Sequence, residues 1–99
     1  MKPLVVAELA DAELREAARW YEDQQAGLGQ ALVEEVDKTL ACIAEAPNTF
    51  PRWISSRPIR KLGVERFPYV VFYVDLAEEI RVLAIAHGKR KPGYWLGRR

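Results

Sequence analysis

Hydrophobic patterning changes character at Pro47. Before it, apolar residues recur at helical spacing; after it, they gather in short β-branched and aromatic runs. A chain with both patterns must pack a helical layer against a sheet. On the helical side, Asp11 stands where an N-cap belongs, with Glu13 and Glu16 favourably placed near a positive helix end. Leu14, Ala17, Ala18 and Tyr21 form an apolar stripe with Trp20 beside it, Arg15, Glu16, Arg19, Glu22 and Asp23 fill the opposite side, and Gly27 supplies a stop. A second helix begins near Leu28 or Gly29, turns Leu32, Val33, Val36, Leu40 and Ile43 to one face, and ends before Pro47. So short a link makes the two helices an antiparallel hairpin.

The strands frame that hairpin in sequence. Pro3 to Glu8 is a short apolar strand, and Asn48 to Ser56 is a loop that tucks Phe50 and Trp53 under the core. Arg57 to Val64 and Tyr69 to Asp75 read as strands, the latter rich in the residues that favour a pleated, half-buried surface. Leu76 to Glu79 makes a hairpin connection into Arg81 to Ala86, whose nearly continuous apolar run suits a central strand covered on both faces or lying under helices. The expected fold is α+β, in the order β-α-α-β-β-β, with an N-terminal helical hairpin on one face of a small, mainly antiparallel sheet. One domain over residues 1–99 is expected, since this length leaves no room for a separate cofactor domain.

With 49% hydrophobic and 29% charged residues, the chain has the makeup of a globular protein rather than a disordered tail. Cys42 is the only cysteine, so no intramolecular disulfide is possible; a reducing compartment, the cytoplasm, and a small-core role for Cys42 follow as expectations. The apolar run near the start is broken by Glu8 and Asp11, too soon for a signal segment or a membrane span. One His and one Cys cannot supply a metal set, Gly27-Leu28-Gly29 lacks the flanking strand and third glycine of a phosphate loop, and Ser55 and Ser56 have only His87 as a possible base. No metal and no cofactor are expected.

The net charge of +1 conceals an asymmetry. Residues 1–56 carry 5 Lys/Arg against 10 Asp/Glu, and residues 57–99 carry 10 against 4, giving −5 and +6. Two solvated faces would account for this, and so would a field that attracts an acidic partner. The basic half ends with the last strand running into His87, Lys89, Arg90, Lys91, Tyr94 and Trp95. His87 at a strand end is either a hydrogen-bonded structural residue or a proton carrier. Arg57, Arg60, Lys61 and Arg66 around the first antiparallel strand either bind a partner or blunt an edge against aggregation. Arg81 is set to pair across strands with Asp75 or Glu79. Tyr94 and Trp95, like Trp20 and Tyr21, either pack onto the sheet or anchor a partner.

This order of elements, with Trp20-Tyr21-Glu22, Gly27-Leu28-Gly29, Phe67-Pro68-Tyr69, Tyr73 and the ending from His87-Gly88-Lys89-Arg90-Lys91-Pro92-Gly93 to Tyr94-Trp95, resembles the RelE/ParE superfamily of bacterial toxins from type II toxin-antitoxin systems, and within it the ParE-like branch. The resemblance spans Glu8 to Arg98 and rests on order and spacing. It implies a cytoplasmic, growth-inhibiting toxin of plasmid-stabilization type, neutralised by a cognate antitoxin and acting by binding and inhibiting DNA gyrase, with no stable nucleic-acid contact required. The alternatives are a ribosome-dependent mRNA endonuclease of RelE type and an inactive toxin-like interaction module. A metal-independent ribonuclease must activate a 2′-hydroxyl, stabilise phosphorane charge and protonate a leaving oxygen. RelE-like toxins resemble one another in carrying an Arg on the penultimate strand, where this chain has Val70. His87, Arg90 and Tyr94 would be the catalytic residues of a nuclease. For a binder, the contact residues would be Trp20, Tyr21, Arg57, Arg60, Lys61, Arg66, Arg90, Tyr94 and Trp95.

Overall fold

A computed structural model describes residues 1–98; Arg99, the last residue of the expected domain, lies outside the described residues. The elements run β1 (Leu4–Val6), α1 (Glu8–Gln24), α2 (Leu28–Glu45), β2 (Ile59–Gly63), β3 (Tyr69–Asp75) and β4 (Ile80–His87). This is the expected β-α-α-β-β-β order, as one mixed sheet with strand order β1-β4-β3-β2. β1 runs parallel to β4, with Leu4 opposite Ile80, and the remaining pairs are antiparallel.

Asp11 does not cap α1. The helix starts at Glu8, because the Ala7 N–H donates to the Val82 carbonyl at 3.0 Å and the Ala7 carbonyl already accepts from the Asp11 N–H at 3.0 Å. Tertiary pairing with β4 therefore sets the start, and Asp11 instead pairs with Arg15 at 3.2 Å. α1 closes at Gln24, before Gly27, which belongs to the start of α2. That start is capped from the preceding helix: the Glu22 carboxylate accepts from the Gly27 N–H at 2.8 Å and the Gly29 N–H at 3.0 Å. Gly29 also lets the helices touch, since a Cβ there would lie 2.4 Å from the Ala18 carbonyl oxygen.

A register shift between Phe72 and Tyr73 changes which face the β4 residues take. Val82 and Ile85 join the core under the helices with Leu32, Val36, Ile43, Val71 and Tyr73. Leu83, Ala84 and Ala86 face the opposite way, into a second core with Ile59, Phe72, Val74 and Trp95. Both faces of β4 are thus covered, one by helices and the other by aromatics from irregular segments. The 48–56 loop divides its rings between them, Phe50 to the first core and Trp53 to the second. It also shields β2, whose outer edge pairs with Trp53 (N–H to the Ile59 carbonyl, 2.7 Å) and Pro51 (carbonyl from the Lys61 N–H, 3.1 Å). Arg57 stays outside β2 in a turn. Cys42 is exposed rather than a core residue, because it lies off the stripe of α2 that carries Leu32, Val36, Thr39 and Ile43 inward.

Burial acts on the tyrosines. Tyr73 donates from its hydroxyl to the Pro47 carbonyl at 2.6 Å, and desolvation pushes its phenol up to about 12 from the ordinary 10. Tyr94 is pushed to about 12 by desolvation and by the Glu13 carboxylate that accepts its hydrogen bond, and Tyr69 is raised by desolvation. The unfolded chain therefore releases phenolic protons before the folded one does, so their contribution is intact below pH 10 and is lost as pH climbs toward 12. Urea midpoints should fall over that interval, and Tyr73→Phe should flatten the fall.

Candidate functional site

A cleft of about 420 Å³ lies between α1, the end of β4 and the segment that follows it. Its aromatic wall comes from α1 and β3. Trp20, 58% exposed, meets the Tyr21 ring edge-on at 5.0 Å, and Tyr21 in turn rests against Phe67 at 5.1 Å and Tyr69 at 6.3 Å. Ile85 and Ala86 form the floor, and His87, Arg90 and Tyr94 form the other wall.

The segment 88–98 is shaped by short-range bonds. The Gly88 N–H donates to the Pro68 carbonyl at 2.6 Å and the Arg90 N–H to the His87 carbonyl at 3.0 Å, folding the chain back as β4 ends. Gly93 takes φ +105°, a conformation L side chains rarely adopt, and the next two residues part company there. Tyr94 points to α1, and Trp95 stacks on Phe72 at 3.9 Å, fully buried.

Tyr94 meets Glu13, a residue that the sequence pattern places only as a helix-end acid. Its hydroxyl donates to Glu13 Oε2, and Arg98 Nη1 donates to Glu13 Oε1 at 3.0 Å. Oε1 also accepts from the Ile85 N–H at 3.1 Å, and Arg90 Nη1 stands 3.8 Å from Oε2. Arg98 reaches on to the Leu83 carbonyl at 3.3 Å, so two side chains satisfy the β4 edge beyond the three residues that β1 covers. The Arg90 guanidinium lies 3.6 Å over the Tyr94 ring. One signal was available: Glu13 lies on the stripe that buries Ala10 and Ala17, where a carboxylate needs partners.

Trp20, Tyr21, His87, Arg90 and Tyr94 thus share one cleft. Trp95 leaves the expected contact set, because its ring is wholly inside the second core. The basic residues around β2 do not form one patch. Arg60 donates to the Phe50 carbonyl at 2.6 Å and staples the loop, whereas Arg66, at φ 70°, pairs with the nearly buried Glu35 at 3.4 Å. Lys61 lines a smaller hollow of about 160 Å³ with Trp53, Val70 and Phe72, and His87 and Arg90 border both openings. Arg57 is exposed on its turn. Arg81 pairs with Glu79 at 2.8 Å, and Asp75 binds Lys2.

His87 Nδ1 accepts from the Lys89 N–H at 3.0 Å, and its ring meets Tyr69 edge-on at 5.3 Å. Among the described residues no group of three or more His, Cys, Asp or Glu is arranged to hold a metal ion. No helix among them is long and apolar enough to cross a membrane.

The family model described as the ParE toxin of type II toxin-antitoxin systems, parDE, matches residues 4–92. The chain belongs to the ParE toxin family. A solved structure of the chromosomal ParDE toxin-antitoxin system from P. aeruginosa is similar in fold, with a TM-score of 0.79 at 20% identity, over 88% of this chain and 96% of that one. No curated protein sequence matches the chain. The match to the ParE family stops at Pro92, so Tyr94, Trp95 and Arg98, which close the second core and engage Glu13, lie beyond the matched residues.

Proposed function

We propose that this ParE-family toxin acts by binding rather than by catalysis, with DNA gyrase as target and an antitoxin as its neutralising partner in the cytoplasm. The observation that carries this reading is the state of the three candidate catalytic side chains. Tyr94 donates its hydroxyl hydrogen bond to Glu13 and is raised to about 12, His87 Nδ1 is engaged in its own turn, and the Arg90 guanidinium sits over the Tyr94 ring. The side chains available for contact are instead those of a binding surface: exposed Trp20, Tyr21 beside it and the Arg90 charge opposite. An acidic antitoxin segment would complement Arg90 while laying apolar side chains along the cleft. A RelE-type ribonuclease remains the second reading because His87, Arg90 and Tyr94 do line one cleft.

Two measurements separate these readings. Pulse labelling after induction of the chain alone should show early loss of DNA synthesis, and the purified protein should inhibit gyrase supercoiling. Early loss of protein synthesis with cleaved messages would reverse the assignment. Arg90→Ala should abolish inhibition while changing stability by no more than about 1 kcal/mol, since the side chain is 57% exposed and gives up only its cation–π contact with Tyr94 and a 3.8 Å pairing with Glu13. A collapse in thermal stability would make Arg90 structural.

A further inference from the structure

We infer that Glu13 is the positioning residue of this surface: from α1, its carboxylate fixes Arg90, Tyr94 and Arg98 in one arrangement against β4, and so sets the face offered to a partner. The inference rests on the binding reading above and adds the residue that organises it.

Three observations carry it. Glu13 joins α1, β4 and the 88–98 segment, accepting from Ile85, Tyr94 and Arg98 with Arg90 at 3.8 Å. Its side chain is only 15% exposed, so water does little to screen these contacts. Among the described residues the Arg90 guanidinium has two partners, Glu13 and the Tyr94 ring, and Glu13 holds that ring in place as well.

The charge balance favours a presenting role over a purely structural one. One carboxylate faces two guanidiniums, and it is Arg98, 17% exposed and 3.0 Å away, that it neutralises most closely. Arg90, 57% exposed and farther off, is oriented without being neutralised and keeps its charge for an acidic partner. The apolar half of the segment is anchored separately, by Trp95 on Phe72. Losing Glu13 should therefore loosen the polar half without opening the second core.

Glu13→Gln tests this, because glutamine keeps the size and an oxygen for the Ile85 N–H while removing the charge. Amide exchange at Leu96 and Arg98 should quicken about tenfold, the scale of one charge-assisted hydrogen bond, with Val74 and Val82 quickening no more than that and remaining the slower amides. The Tyr94 phenol, assigned by comparison with Tyr94→Phe in an ultraviolet titration, should move down from about 12, with burial still holding it above 10. Inhibition of supercoiling should weaken by about tenfold or more with the fold retained, the melting temperature falling by roughly 5–10 °C as the loss of one such bond requires. Unchanged exchange and titration would overturn the inference, as would a loosened segment with parental inhibition. If Glu13→Gln does not fold, Arg98→Gln applies the same test from the other end of the pair. Should the parent leave gyrase untouched, the gyrase reading falls, and exchange and titration alone decide the role of Glu13.

Discussion

Replacing Trp95 by alanine should lower the unfolding free energy by about 3–5 kcal/mol, the range for emptying a fully buried aromatic site. Trp95 is the largest wholly buried side chain, stacked on Phe72 and tilted against Trp53 at 5.4 Å. Without it, one face of β3 and β4 loses its cover, so exchange should rise first at Phe72, Val74 and Leu83. Trp95→Phe should cost less than half as much. The indole N–H is buried with no hydrogen-bond partner among the described residues, a burden of about 1–3 kcal/mol that phenylalanine removes while keeping the stack. Urea denaturation of the three proteins side by side measures both numbers. A loss under about 1 kcal/mol for the alanine variant would mean that the second core is not a stabilising unit.

Gly29→Ala should destabilise by about 2–3 kcal/mol although helix propensity alone favours alanine by about 1 kcal/mol. The added methyl would lie 2.4 Å from the Ala18 carbonyl oxygen and 3.0 Å from Glu22 Oε1. The first is backbone and cannot swing aside, so the helices must separate or rotate; the second is the carboxylate that caps α2. Packing and capping are disturbed together. Gln30→Ala, one residue on and exposed, provides the control and should stay within about 0.5 kcal/mol of the parent. A neutral Gly29→Ala would show that the helical hairpin tolerates a wider spacing than its contacts indicate.

The layer of helices was legible because Leu32, Val36 and Ile43 repeat at helical spacing, and β3 because Tyr69 to Asp75 is a run of strand formers; its bounds are as expected. Local signals failed where distant partners decide. Asp11 looks like a cap, but pairing of Ala7 with Val82 starts the helix earlier. Cys42 has the chemistry of a core residue, yet its helical phase turns it outward. The site divides in the same way. Trp20, Tyr21, His87, Arg90 and Tyr94 stand out by residue type and do converge, while Trp95 has the same chemistry as a surface anchor and is withdrawn by Gly93 and the Phe72 stack. The buried stripe marks Glu13 as needing partners, but which partners was hidden, because they lie 72 to 85 residues away, a separation that no periodicity encodes.

That separation also governs when the protein can begin to act during its own synthesis. The Glu13 contacts reach Arg98, the second core needs Trp95, and β1 pairs with β4 across most of the chain. α1 and α2 leave the ribosome first, but the sheet they cover is completed last. Until residue 98 has emerged, a nascent chain has its helical hairpin and neither the closed second core nor an ordered Arg90. If the binding surface proposed above carries the activity, products cut short before Trp95 should lack it, and a ribosome still at work on this message should hold an inactive chain.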